Sequence, residues 1–312
     1  MLRTKIYKIF PFFLLLSTLN SNAYNQIVGK NDRDFVFSES QNDSSNYSKN
    51  YVHKNRLILS SIGVVALNVA AYQPFKQTWW QEERISFHFY HGWQRKKGDY
   101  DFKWNDSYCG HMDKLGHYYS GKILSEQLTN ISNWIGFRPG TSNWIGPILS
   151  SLMLLEIEIY DGYFKEWGFS LADLTANELG AFAPLLRDKI PYINNFQFKF
   201  SYHASNQPST EATFVKDYAG MTFWLSWNLH SALPGIFKTY YPKWLNVALG
   251  YSVSKQAHGD IELYLSPDIN WEKTPIGNSN IAKFIKMALN YFHFPCITWQ
   301  LQPSSKFYLL YF

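Results

Sequence analysis

FQFKFSYH, residues 196–203, sets Phe196, Phe198, Phe200 and Tyr202 at alternate positions against Gln197, Lys199, Ser201 and His203. A period of two marks a strand with one apolar and one polar face. The same rhythm returns in MTFWLSWNLH (221–230), WLNVALGYSV (244–253), DIELYLS (260–266), CITWQLQ (296–302) and KFYLLYF (306–312). One helix interrupts these strands, at about Ser279 to Tyr291. Upstream of Pro191 the period is that of a helix. Residues 78–95 read as an aromatic helix and 111–130 as a second. FRPGTSNW (137–144) then breaks the chain, Ser142 to Phe164 reads as a long apolar helix, and Ser170 opens another that runs to about Arg187. The fold class is therefore α+β: an N-terminal helical bundle followed by an antiparallel β-sheet or a partial or small barrel.

Counting argues against a full barrel. Six strands are legible, whereas single-chain bacterial barrels use at least eight, each of about 10 residues. Lys306 also falls on the same face as Tyr308, Leu310 and Phe312, where lipid would be met. A sheet or partial barrel packed on the helices is the preferred reading, and a small barrel with further strands is the runner-up.

Composition narrows the class. Of 312 residues 46% are hydrophobic and only 17% charged, and 12 Trp, 22 Tyr and 24 Phe make 19% aromatic. That excludes a disordered chain, a collagen and a coiled coil. Two cysteines exclude a disulfide-dense mini-domain and a cysteine zinc-finger array. Arg3, Lys5 and Lys8 account for three of the +5 net charge, leaving +2 beyond residue 23. A near-neutral chain gives no footprint for nucleic acid. The one dense basic run, Arg95-Lys96-Lys97, reads as a solvated helix end.

Residues 1–23 read as a signal peptide. The start is basic, IFPFFLLL (9–16) is an apolar core too short to span a bilayer, and Ser21-Asn22-Ala23 puts small residues where a signal peptidase cuts. No Cys follows the apolar run, which disfavours a lipid anchor. Export would bring Cys109 and Cys296 into an oxidising compartment, where they could pair or stay reduced. Residues 24–55 form a polar linker rich in Asn and Ser. Residues 56–190 form a helical domain, and 191–312 a β-rich region. From Leu57 to Phe75 no charge occurs. This stretch is long enough to span a membrane, but Asn68, Gln73 and its small residues favour a buried helix.

Three local patterns carry chemistry. Asp113 and His117 are four apart, as are Asp173 and Asn177, and Glu158 and Asp161 are three apart, so each pair shares a helical face. Glu156 points elsewhere. Lys114, one residue from Asp113, reads as facing away. Three helices offering such pairs could meet at one site, holding a carboxylate beside a His for general acid–base work or binding a divalent cation through Asp113, His117, Asp161 and Asp173. Each pattern also has a plain reading. Asp173 could complete a capping box with Ser170, Asp113 could favour its helix dipole, and His117 could simply bond Asp113. The acids of MLLEIEIYDG (153–162) are harder to dismiss, because a buried lone carboxylate costs several kcal/mol.

HMDKLGHYYSGKIL (111–124), EIEIYDG (156–162), WGFSLADLTANELGA (167–181) and DYAGMTFWLS (217–226) resemble the YfiM-like family of uncharacterised, exported bacterial envelope proteins. The first three motifs are also similar, more loosely, to VanZ-like membrane proteins, which carry an Asp-Lys-x-x-His helix and a later Asp-x-x-x-Asn helix. The YfiM-like resemblance covers roughly Trp104 to Ser226, and more faintly the C-terminal strands. The matching positions are Asp113, Lys114, His117, Asp161, Asp173 and Asn177. It implies a periplasmic or outer-membrane location and no reaction. Many relatives look like lipoproteins, and the acceptor Cys is missing here.

The expected function is that of an exported cell-envelope protein with a structural or interaction role, its partner a membrane, a lipid or an envelope protein. The alternative is a membrane-associated hydrolase or lipid-modifying enzyme using Asp113, His117, Glu158, Asp161, Asp173 and Asn177. No Gly-x-Ser-x-Gly, His-Glu-x-x-His or phosphate loop supports the alternative. No cofactor is expected, a divalent metal being the one that the cluster could take.

Overall fold

The computed structural model describes residues 52–90, 108–205, 214–255 and 259–312. The signal peptide, most of the linker and Arg95-Lys96-Lys97 lie outside the described residues. Four long helices come first: α1 (Lys54–Thr78), α2 (Met112–Ile135), α3 (Pro139–Asp161) and α4 (Leu171–Lys189). Six strands follow, β1 (Phe196–Tyr202), β2 (Met221–Trp227), β3 (Leu245–Val253), β4 (Ile261–Ile269), β5 (Cys296–Gln302) and β6 (Lys306–Tyr311), with helix α5 (Asn280–Leu289) before β5. The α+β order read from the sequence is the observed one.

Local chemistry sets the helix limits. α2 ends at Gly136, whose φ of 106° is the left-handed cap that Gly adopts without strain. α3 opens with Pro139 in its first turn, where a missing N–H is harmless. α4 is capped by Ser170, whose Oγ accepts the Asp173 N–H at 2.9 Å, and it closes on Arg187 and Lys189 at the negative end of its dipole.

α2, α3 and α4 form a three-helix unit. Ser150 Oγ donates to Gly121 O at 3.0 Å while Glu158 lies beside His117, so α3 runs antiparallel to α2. Asp173 meets Lys114 and Arg187 meets Glu126, so α4 runs parallel to α2. The last two pack closely: a Cβ on Gly121 would stand 2.7 Å from Asn177 O, and one on Gly180 would strike the Tyr118 carbonyl.

The sheet is an antiparallel meander in the order β1-β2-β3-β4-β5-β6, coiled but not closed. It curls enough to bring Tyr311 of β6 to Trp224 of β2, with ring centroids 6.1 Å apart. Beyond the β1 edge, Phe200 N–H donates to Tyr291 O at 3.1 Å and His293 N–H donates to Phe200 O at 2.9 Å. Near one end of the strands the outer face packs on α2, through Met112, Phe200, Met221, Phe223 and Val253.

Four expectations are corrected. First, the described part of the stretch 78–95 does not continue as a helix: α1 stops at Thr78, and residues 79–90 form turns and isolated bridges. There Ile85 N–H bonds Tyr163 O and Tyr90 N–H bonds Phe169 O, so the 162–169 loop takes the place of helical partners. Second, α1 is not buried. Leu57, Ile58, Leu59, Ile62, Val65 and Val69 are exposed, and the helix, beginning at Lys54, has only a half-buried stripe that includes Val64, Leu67, Asn68 and Phe75. Third, the sheet, expected to pack on the helices, does so over only part of its outer face. The concave face is polar and buried, with Lys199, Ser226, Asn246, Asp268, Thr298 and Gln300 around Trp224. The convex face beyond α2 is apolar and exposed. Fourth, Lys306 and Tyr308 share a face, opposite Gln300 and Thr298, but it is the inner face of the sheet, and the exposed Leu310 and Phe312 do not continue it. A register shift between Cys296 and Thr298 breaks the alternation, and Tyr308 and Tyr311 both turn inward, Tyr308 donating to Gln300 Oε1 at 2.9 Å. The two cysteines, Cys109 buried and Cys296 half-buried, are not bridged.

Candidate functional site

At one end of the three-helix unit, the first turns of α2 and α4 meet the last turn of α3. Lys114 Nζ lies 2.9 Å from Asp113 Oδ2 and 2.7 Å from Asp173 Oδ1. One turn along α2, His117 stands between two acids, with Nε2 3.5 Å from Asp173 Oδ1 and Nδ1 3.5 Å from Glu158 Oε1. Asn177 links the same pair: its Oδ1 is 3.0 Å from His117 Nδ1, and its Nδ2 donates to Glu158 Oε1 at 2.9 Å. Asn177 and Glu158 form the floor, at 0% and 1% exposure, and His117, with 28% of its side chain exposed, forms the mouth.

Of the six residues singled out in the sequence, His117, Glu158, Asp173 and Asn177 are thus in direct contact. Asp113 reaches the group only through Lys114. Asp161 stands at its margin, where its Oδ1 accepts from Trp80 Nε1 at 2.6 Å. Glu156 does face elsewhere, accepting from Asn68 of α1 at 3.2 Å. Lys114 does not face away: in the first turn of α2 its long stem swings the ammonium between two carboxylates, over the ring of Tyr90 at 5.9 Å. Trp80 gave no signal in the sequence beyond being one of a Trp pair, and it is placed by the end of α1, stacked on Tyr160 at 4.9 Å.

The electrostatics follow from burial and charge count. Burial pushes the Glu158 carboxyl up to about 8, and beside it Asp173 and Asp161 act in the same direction. Burial also takes Asp161 up to about 7, against the Trp80 hydrogen bond. Asp173 goes the other way: burial would raise it, but Lys114 and His117 together hold it below the usual carboxylate value. For Lys114 and His117 burial opposes the charged form. The neighbouring acids overcome it, Asp113 and Asp173 for Lys114, Asp173 and Glu158 for His117, leaving both above their ordinary values. Four carboxyl groups therefore surround one ammonium and one imidazole. Such a group can share a proton between His117 and Glu158, or hold a cation.

Residues 101–189 match the family model described as predicted periplasmic lipoprotein (DUF2279). The match spans less than a third of the chain, yet it contains α2, α3, α4 and every residue of the cluster except Trp80 and Tyr90. The sheet lies outside it. A periplasmic family agrees with the location expected from residues 1–23, an exported protein of the periplasm or outer membrane, and its description names no activity. No curated protein and no solved structure matches the chain.

A second polar group was not foreseen. In the concavity of the sheet Lys199 Nζ lies 2.7 Å from Asp268 Oδ2 and donates to Ile269 O at 2.7 Å, while Ser226 Oγ donates to Asp268 Oδ2 at 2.6 Å. The signal was present in the alternating polar positions of β1, β2 and β4, but the sequence does not say which face of a sheet is buried.

Proposed function

We propose that this envelope protein works in contact with lipid, α1 serving as a membrane anchor and the convex face of the sheet as a second lipid-contacting surface, in a structural or interaction role. The observation that carries the reading is one row of paired residues, Leu225, Leu249, Leu265, Trp299 and Phe307, which crosses five neighbouring strands on one face, every member exposed. Behind it, the buried face holds a Lys–Asp pair, Ser, Asn, Thr and Gln. Apolar outside and polar inside is the pattern of a sheet whose outer solvent is hydrocarbon. α1 adds 25 residues, about 37 Å of helix, long and apolar enough to cross a bilayer. A contiguous exposed apolar surface of this extent marks a membrane or protein interaction site in general. The YfiM-like resemblance, which implies an envelope location, supports the same reading.

The test is flotation. The mature chain, purified in detergent and reconstituted with phosphatidylethanolamine–phosphatidylglycerol vesicles, should rise with the vesicles in a density gradient and resist extraction by alkaline carbonate. A protein that stays monodisperse without detergent and remains at the bottom of the gradient would overturn the reading.

A further inference from the structure

We propose that His117, Glu158 and Asp173 form a binding site for one first-row divalent cation. Each residue comes from a different helix of the three-helix unit, and one ligand atom from each can be chosen so that all three lie within 4.8 Å of one another. A Zn²⁺ ion with bonds of about 2.0–2.2 Å needs its ligands about 3.4 Å apart. His117 Nε2 lies 3.5 Å from Asp173 Oδ1, whereas Glu158 Oε1 lies 3.5 Å from the other ring nitrogen, Nδ1, so Glu158 must close in to complete the set. One imidazole with two carboxylates suits Zn²⁺ or Mn²⁺ better than the all-oxygen cations Ca²⁺ and Mg²⁺.

Asn177 supplies the outer support such a site needs. Its amide nitrogen donates to Glu158, which turns its Oδ1 towards His117 as an acceptor for Nδ1–H. That bond fixes the tautomer with Nε2 as the available lone pair, on the side of Asp173. The depth is also suitable, with a buried floor and His117 at an accessible mouth. Lys114 is the competitor. Its ammonium already holds Asp173 Oδ1, so the ion enters beside it, through the other carboxylate oxygen, or displaces it.

The inference is independent of the lipid reading and is tested separately. The full mature chain in detergent, stripped with chelator, is titrated with Zn²⁺ and with Mn²⁺ by calorimetry. One ion per chain is expected for at least one of them. His117→Ala and Asp173→Asn should each weaken binding about 100-fold or more, and Asn177→Ala about 10- to 100-fold. Lys114→Met should strengthen it. Should a variant fail to fold, X-ray absorption of the Zn²⁺-loaded wild-type chain still decides. A nitrogen and oxygen shell with imidazole scattering supports the site, and a sulfur shell from Cys109 or Cys296, or a purely oxygen shell, overturns it. Absence of stoichiometric binding by the wild-type chain, or unchanged binding in a folded His117→Ala chain, also overturns it.

Discussion

His293 is a side chain whose surroundings make its protonation measurable. It is 3% exposed, lies flat on the Trp224 indole with ring centroids 3.9 Å apart, and has Nε2 3.3 Å from Pro267 O. Burial lowers its pKa to about 4, against the pull of Asp268 and alongside the repulsion of Lys199. In the unfolded chain the same imidazole titrates near 6.5. Between these values the unfolded chain holds a proton that the folded chain does not, so stability falls as pH drops from about 6.5 to 4. The ceiling on the loss is about 3 kcal/mol. His293→Gln should lack this component, so the stability gap between wild type and variant should narrow on acidification, as read by urea unfolding at several pH values. A gap that stays constant would show that His293 titrates normally. Residue-scale reading of the sequence worked where helical spacing governs and failed where side-chain length does. The i, i+4 rule put His117 and Asn177 on usable faces. It also sent Lys114 outward, because it treats a residue as a direction; four methylenes let this one bend back to both Asp113 and Asp173.

At the scale of elements, the sheet is pinned by an ion pair that the strand pattern did not reveal. Lys199 on β1 and Asp268 on β4 are 0% and 2% exposed, and the strands between them contribute Ser226 and Asn246 to the same network. Removing one partner leaves a buried lone charge. Lys199→Met should therefore cost about 3–5 kcal/mol, whereas the double change Lys199→Met with Asp268→Leu should recover much of that loss. Chemical denaturation of the four proteins checks it; additive single losses would mean that the two groups act independently. The alternation of β1 to β5 was plain in the sequence because a period of two survives whichever face is buried. What it cannot carry is the identity of the solvent on either side. The same limit explains α1, where apolarity alone fits a core helix and a lipid-facing one equally well. Residues 79–90 failed for another reason: their hydrogen bonds come from the 162–169 loop, a partner remote in sequence.

For the whole molecule, polar groups line the interior of both halves. Ser125, Gln127, Ser132, Ser142 and Ser150 are buried among the helices, as Ser226, Asn246 and Thr298 are in the sheet, while α1 and the convex sheet face expose Leu, Ile, Val, Trp and Phe. In water this distribution forfeits much of the hydrophobic free energy that folds a chain of this size. In lipid it forfeits little, because on the exposed faces hydrocarbon meets hydrocarbon. One substitution separates the two cases. Leu249 sits at the middle of the convex row, between Leu225 and Leu265, and is 46% exposed. If that face meets water, Leu249→Lys is an ordinary surface change, within about 0.5 kcal/mol of neutral. If it meets the hydrocarbon core, the lysine must bury or snorkel its charge, at about 2–4 kcal/mol near the midplane and less towards the interface. Ser252→Lys on the buried concave face is no control, since it would disrupt packing in either medium. Lys243→Glu, an exposed change in the turn before β3, is. Urea unfolding of the vesicle-reconstituted proteins should then place Leu249→Lys at least about 2 kcal/mol below both wild type and Lys243→Glu. Three indistinguishable curves would put the convex face in water, leaving its apolar row to be covered by protein.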